Sequence, residues 1–317
     1  MKWRKLGKIF NPTQHTLSDD CCEFAQSPQT LVFDNFIRIY FSTRKKDSIG
    51  KYLSHISFID MNKTFTKIIN VSKETVIELG NLGCFDEHGI FPINLLRNGD
   101  KISAYTCGWS RRISVSVETS IGLAISYDNG LTFKKNGEGP IMSSSINEPF
   151  LVGDAFVKVL HNTYHMWYIY GTKWSSQPNE PSPARVYKIA HAISSDGVKW
   201  DRDSIQIISD KLNADECQAL PTVIDHNNKY HMFFCYREAT GFRKDKSRGY
   251  RIGYAFSRDL INWQRDDENG GIDVSNNGWD SDMLCYPHVF NCDDKIYLLY
   301  NGNEFGRYGF GLAVLEA

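Results

Sequence analysis

The sequence predicts an all-β fold, a five-bladed β-propeller whose blades carry about four antiparallel strands. Three observations predict it. A phrase alternating with period two and closing on a Ser/Asp turn and an aromatic residue recurs at Ile121–Phe133, Ile189–Trp200 and Ile252–Trp263. Weaker copies stand at Leu53–Phe65 and Phe310–Ala317, and a tyrosine-rich run precedes every copy. Ahead of that run lies a strand led by Pro28, Pro92, Pro221 or Pro287, with Ala155 standing in once, at intervals of 64, 63, 66 and 66 residues. Regular strands separated by Asp, Asn and Gly turns are the signature of radial sheet repetition, and no segment repeats with the 3.6 period of a helix.

The elements follow in order. The blades fall at about 11–70, 80–140, 145–208, 212–270 and 276–317, all within one domain spanning 1–317. The last strand, "GFGLAVLE", reads as the third of its blade. The segment 1–10, "RKLGKIF" within it, is expected to supply the outer partner, closing the ring and hiding a sheet edge. With 41% hydrophobic residues, 16 Tyr, 19 Phe and 7 Trp, the chain has the strand-forming composition that five such blades need.

A net charge of −1 gives no reason to expect nucleic acid or an anionic membrane as partner. The basic clusters at Arg44–Lys46 and Phe242–Arg248 read as solvated loops. No run approaches the roughly 18 apolar residues of a membrane span, and no secretory leader is evident, so membrane insertion is not expected and the location reads as cytoplasmic. The eight cysteines form no C-x-x-C pair and have no His at zinc-finger spacing, so reduced, mostly buried thiols are expected; no cofactor is expected, and no ligand set is compact enough to name a metal site.

"DEHGIFP" at Asp86–Pro92 and "DECQALP" at Asp215–Pro221 place an acidic pair at the same distance ahead of a proline. Five residues back from the leading prolines stand Glu23, Glu87, Glu216 and Asp282, and the third blade offers Glu148 and Asp154. In a propeller these positions converge on one mouth of the channel. Crowded carboxylates there would push pKa values apart and set a proton donor beside an acceptor, the requirement for cleaving a glycosidic bond with two carboxyl groups. The ends of the second strands face the same mouth and carry Arg44, Trp109, Trp174, Arg237, Asn301 and Asn303. Aromatic faces, amides and guanidinium groups suit a sugar's C–H faces and hydroxyls, or a carboxylate or phosphate substituent. His88 and His288 adjoin the openings of the inner strands as candidate acids, bases or donors. The expected partner is therefore a carbohydrate or a sugar-containing small molecule.

On this repeat and on "GDAFV" and "DECQALP", nearly the whole chain resembles the five-bladed β-propeller glycosidase superfamily, which includes arabinanases, β-xylosidases, invertases and mannoside phosphorylases. The resemblance implies a catalytic Asp on blade one, a supporting Asp on blade three and a general-acid Glu on blade four. Asp154 stands at the blade-three place and Glu216 in the blade-four region. Ser27 stands before Pro28, where those hydrolases commonly have Asp. The long last two blades are similar to uncharacterised bacterial propellers associated with surface-polysaccharide synthesis, and to a domain joined to some plant sphingolipid glycosyltransferases, which implies carbohydrate or sugar-nucleotide chemistry.

Two functions are expected from this. The first is a glycoside-processing enzyme with Glu216 as acid, Asp86 or Glu87 as base or nucleophile, and Asp154 orienting substrate or tuning a neighbour's pKa; a phosphorolytic variant of it would need Arg44, Arg237 or a neighbouring His to hold phosphate. The alternative is a sugar-binding or scaffold propeller that has lost catalysis, as Ser27 suggests. A protein-interaction propeller would need an apolar rim, and the blade tops look polar.

Overall fold

The computed structural model describes residues 1–176 and 182–316, and among them there are strands and short 3-10 turns but no α-helix. The strands are β1 (Trp3–Phe10), β2 (Glu23–Val32), β3 (Ile37–Lys46), β4 (Tyr52–Met61), β5 (Ile68–Val71), β6 (Gly89–Asn98) and β7 (Lys101–Arg111). There follow β8 (Val117–Ser126), β9 (Lys134–Lys135), β10 (Val152–Leu160), β11 (Thr163–Ser175), β12 (Ala184–Ser194) and β13 (Asp201–Arg202). The chain continues through β14 (Cys217–His226), β15 (Lys229–Arg237), β16 (Arg251–Ser257), β17 (Gln264–Arg265), β18 (Cys285–Cys292), β19 (Lys295–Asn301) and β20 (Phe310–Leu315).

They pair as antiparallel meanders. β10 to β13 form one four-stranded sheet and β14 to β17 another. β2 to β5 and β6 to β9 are two further meanders, joined by a single parallel bridge between Ser54 and Gly89. In the last sheet β18, β19 and β20 are followed by β1, with Trp3 opposite Leu315 and Phe10 opposite Phe310, so the two ends of the chain share one sheet. The repeated turns carry the local chemistry expected of them. Ser126, Ser194 and Ser257 accept backbone N–H bonds from Gly130, Gly197 and Leu260, while Asp196 and Asp259 accept the amides that follow them.

The sheets pack face to face, each gap filled by its own apolar cluster. Tyr40 and Phe58 meet Ile90 and Ile102 across one gap, and Leu123 meets Met166 and Tyr168 across the next. Trp167 and Val186 meet Met232 and Phe234, Phe233 and Tyr254 meet Leu298 and Tyr300, and Phe290 and Leu299 meet Ile37 and Phe41. The first strands of the meanders follow the same cycle: β2 touches β6, β6 touches β10, β10 touches β14, β14 touches β18, and β18 touches β2. Buried side chains tie these strands. Asn94 donates to Gln29 and accepts from the Val157 amide, Thr222 accepts from the Val289 amide, and His288 meets Thr30. Such bonds satisfy polar groups that a dry interface would otherwise leave at a cost.

All five first strands are irregular at one place. Register shifts fall between Gln26 and Gln29, Ile90 and Ile93, Gly153 and Phe156, Ala219 and Thr222, and Cys285 and His288. Ser27, Asp154, Leu220 and Tyr286 sit there with φ of 52°, 51°, 50° and 57°, a left-handed conformation that non-glycine residues rarely adopt, and Phe91 takes the same place in β6. A bulge re-aims the side chain it carries. Repeated in all five strands, it marks one equivalent position in each.

Candidate functional site

A cavity of about 550 Å³ opens where the first strands meet, and residues from every sheet line it. Asp154, Phe91 and Tyr286 enter it from the bulges themselves. Arg44, Trp109 and Arg237 come from the ends of the second strands, and Tyr52 and Arg185 from the beginnings of the third strands. The loop between β15 and β16 adds Phe242 and Arg243, and the segment after β19 adds Glu304, Phe305 and Arg307.

The chemistry of this cavity is cationic, not acidic. Asp154 is 8% exposed, and burial pushes its carboxyl up to about 7, against the opposing pull of Arg185 and the Leu220 amide. Arg237 is buried; its guanidinium donates to the carbonyls of Glu238 and Ala239 at 2.7 and 3.2 Å and to the Tyr187 hydroxyl at 2.8 Å. It also lies 3.7 Å over the Phe242 ring. Its Nε, and that of Arg44, are buried without a partner. Loss of solvent, then repulsion from Arg243 and Arg185, hold Arg44 below the usual guanidinium range. Burial raises the phenols of Tyr187, Tyr250 and Tyr286, so that each is a neutral hydrogen-bonding group at the wall. At the rim Arg307 is neutralised by Glu23 at 3.1 Å, and Glu23 also accepts from the Tyr52 hydroxyl at 3.0 Å.

Of the residues singled out in the sequence, Asp154, Arg44, Trp109 and Arg237 line the cavity, and Glu23 stands beside it through Tyr52 and Arg307. The other acids are elsewhere. Glu216, wholly buried, is 2.6 Å from Arg265 of β17 and accepts the amides of Lys211 and Leu212. Glu148 is 2.6 Å from Arg202 of β13 and accepts from Tyr168 at 2.5 Å. Asp86 is 2.6 Å from Lys135 of β9. A fourth acid of this kind, Asp280, is 2.8 Å from Lys5 of β1. The repeated acid thus bonds to the base on the outermost strand of its own meander, and the expected well of carboxylates does not form.

The remaining placements are also structural. Glu87 accepts the Gly83 amide and lies 3.3 Å from His88, whose ring stacks on Trp109. Asp282 pairs with Lys246 at 2.7 Å, and Asn303 accepts the Asp282 amide. Asn301 accepts the Ser27 amide and donates to Ala25 and Gly309, tying the last meander to the first. His288 is buried between β18 and β2, its pKa pushed down to about 3 by loss of solvent. Trp174 packs on the apolar cluster around Trp167. Arg185, Tyr187, Tyr250, Tyr286 and Arg243 were not anticipated. The residue immediately before each leading proline would have found Tyr286, and extending the repeat to the starts of the third strands would have found Arg185. Of the two clusters read as solvated loops, Arg44 and Arg243 in fact face the cavity. Among the described residues no group of three His, Cys, Asp or Glu side chains could hold a metal ion.

The fold is that of the propeller-type glycoside hydrolases. A solved glycoside hydrolase superposes with a TM-score of 0.75 at 13% identity, over 99% of this chain and 93% of its own. A thermostable family-43 glycoside hydrolase gives 0.66 at 14%, over 94% and 91%. The β-1,2-mannobiose phosphorylase from Listeria innocua gives 0.66 at 12%, over 98% and 96%. No family model matches the sequence. The chain belongs to one family with the uncharacterized proteins Rv1502 and MT1551 of Mycobacterium tuberculosis, strains H37Rv and CDC 1551, each 33% identical over 319 residues and covered along its full length, as is this chain.

Proposed function

We propose that this protein is a glycoside-processing enzyme, a five-bladed propeller closed by the β1–β20 pairing, which binds a carbohydrate in its central cavity and uses Asp154 as the proton-transferring group. The observation that carries the reading is the state of Asp154. It is the one acid among the five bulge positions, it faces a sugar-sized cavity, and its carboxyl titrates near 7, where donor and acceptor forms are both populated. The aromatic and phenolic wall of Trp109, Tyr187, Tyr250 and Tyr286 offers stacking faces and hydroxyl partners to a sugar ring. Similarity of fold to hydrolases and phosphorylases supports the reaction class without fixing it. The eight free thiols support the proposed cytoplasmic location.

The test is turnover of a glycoside panel by wild type and Asp154→Asn. Proton transfer by a positioned side chain contributes about 10²- to 10⁴-fold, so the variant should lose at least about 10²-fold in kcat while keeping substrate affinity. Unchanged turnover in Asp154→Asn would remove the assignment. With Asp154 acting as acid, wild-type kcat should decline as pH rises through about 7.

A second reading, binding without turnover, is favoured by Ser27 and Leu220 at bulge positions where a second deep carboxylate would be needed, the remaining acids being rim residues paired with Arg307. Saturable sugar binding with no cleavage of any bound sugar would establish it.

A further inference from the structure

The cavity holds more positive charge than the described residues compensate. Arg44, Arg185, Arg237 and Arg243 all line it, and among the described residues none of them is ion-paired with a carboxylate. Elsewhere a buried guanidinium has a carboxylate at short range, as Arg38 has Asp60 at 2.7 Å and Arg265 has Glu216 at 2.6 Å. Withdrawing guanidinium groups from water without a counter-charge is costly, and four together repel one another. A group from outside the described residues would complete them. The buried, unbonded Nε atoms of Arg44 and Arg237 offer free donors, and the planar guanidinium fork matches a phosphate's oxygens.

We propose that the cavity takes a sugar bearing a covalently attached phosphoryl group, with Arg44, Arg185, Arg237 and Arg243 as its anion cradle. The inference rests on the carbohydrate reading above and names its substrate class. Setting aside Arg307, which Glu23 and Glu304 neutralise, four guanidinium groups face one carboxyl, and that excess calls for a dianion more than for the single charge of a sugar acid. A space of about 550 Å³, walled with aromatic rings, is also of the size that encloses a whole small ligand and not a bare phosphate ion.

The experiment is a thermal-shift titration of the full chain at fixed ionic strength with sodium phosphate, glucose, glucuronate, glucose 1-phosphate and mannose 1-phosphate, using sodium chloride as reference. Ligands that bind only the folded state raise Tm with concentration. At least one hexose phosphate should raise Tm by several degrees, well beyond phosphate, glucuronate or glucose. In Arg44→Gln and Arg243→Gln the same shift should need at least tenfold more ligand, while the unliganded Tm stays level or rises because repulsion is relieved. The proposal fails on any of three results: no hexose phosphate exceeds chloride, inorganic phosphate matches the hexose phosphates, or glucuronate does. A fall in unliganded Tm in both variants would overturn the idea of an uncompensated cradle. Repeating the titration on Asp154→Asn separates the two proposals, since phosphosugar binding there is independent of whether Asp154 moves the proton.

Discussion

Two charged regions of this molecule, built from the same residue types, do opposite things. In the four outer sites, Asp86, Glu148, Glu216 and Asp280 each meet a base from the last strand of their sheet at 2.6 to 2.8 Å. In the central cavity, Arg44, Arg185, Arg237 and Arg243 have no carboxylate at ion-pair distance among the described residues, and Asp154, whose burial raises its carboxyl, is drawn on only by Arg185. The first set is self-satisfied and works as a clasp between the innermost and outermost strands. The second is unsatisfied, and an unsatisfied buried charge is the mark of a site that waits for something else. Removing a charge should therefore destabilise in the first region and stabilise in the second.

The sharpest way to break this comparison is Glu148→Gln. The substitution keeps an acceptor for Tyr168 but leaves Arg202 without its counter-charge, and breaking such a pair costs about 3–5 kcal/mol in urea unfolding. The double variant with Arg202→Met should recover most of that loss. Glu216→Gln should cost less, about 2 kcal/mol on the same reasoning, because Arg265 retains Asp267 at 3.1 Å. It should leave ligand affinity unchanged, whereas a loss of turnover with full stability would return Glu216 to the chemistry.

Asp154→Asn should move stability the other way. The folded carboxyl titrates near 7 and the unfolded one near the ordinary value of 3.8, so between those limits the folded state holds the extra proton. Wild-type stability from this group is full below about pH 4 and falls by up to about 1.4 kcal/mol per pH unit as pH rises towards 7. The variant should accordingly be more stable than wild type at pH 8, with the difference shrinking at pH 4. His288 has the mirrored dependence: its folded pKa is near 3 against 6.5 unfolded, so its contribution is full above about pH 6.5 and declines on acidification. His288→Asn should flatten that acid limb in urea melts. The smallest effect belongs to Asp282→Asn, which removes an exposed pair with Lys246 and should change stability by less than about 1 kcal/mol.

The order of strands was legible because each meander repeats one hydrophobic alternation, and alternation reports which face of a strand is buried. Arg44, Trp109 and Arg237 were legible in part because strand ends recur with the repeat, yet Trp174 and Asn301 at equivalent ends do not line the cavity, so periodicity narrows the candidates without choosing among them. Glu216 does not reach the cavity because a residue immediately before a strand can point inward or along the sheet, and here it turns to Arg265. Sequence spacing carries no information on that choice. The base that decides it, Arg265, lies 49 residues away on the last strand.

By itself the sequence determined an all-β chain of repeating meanders, because local alternation and turn chemistry act over a few residues, and it offered Asp154 only as one of several acids near the strand openings. Only the tertiary structure decided which charges are paired. A pair energy depends steeply on distance and burial, and both are set only when strands of different meanders are brought together. That step turned the anticipated acidic well into a cavity lined by arginines.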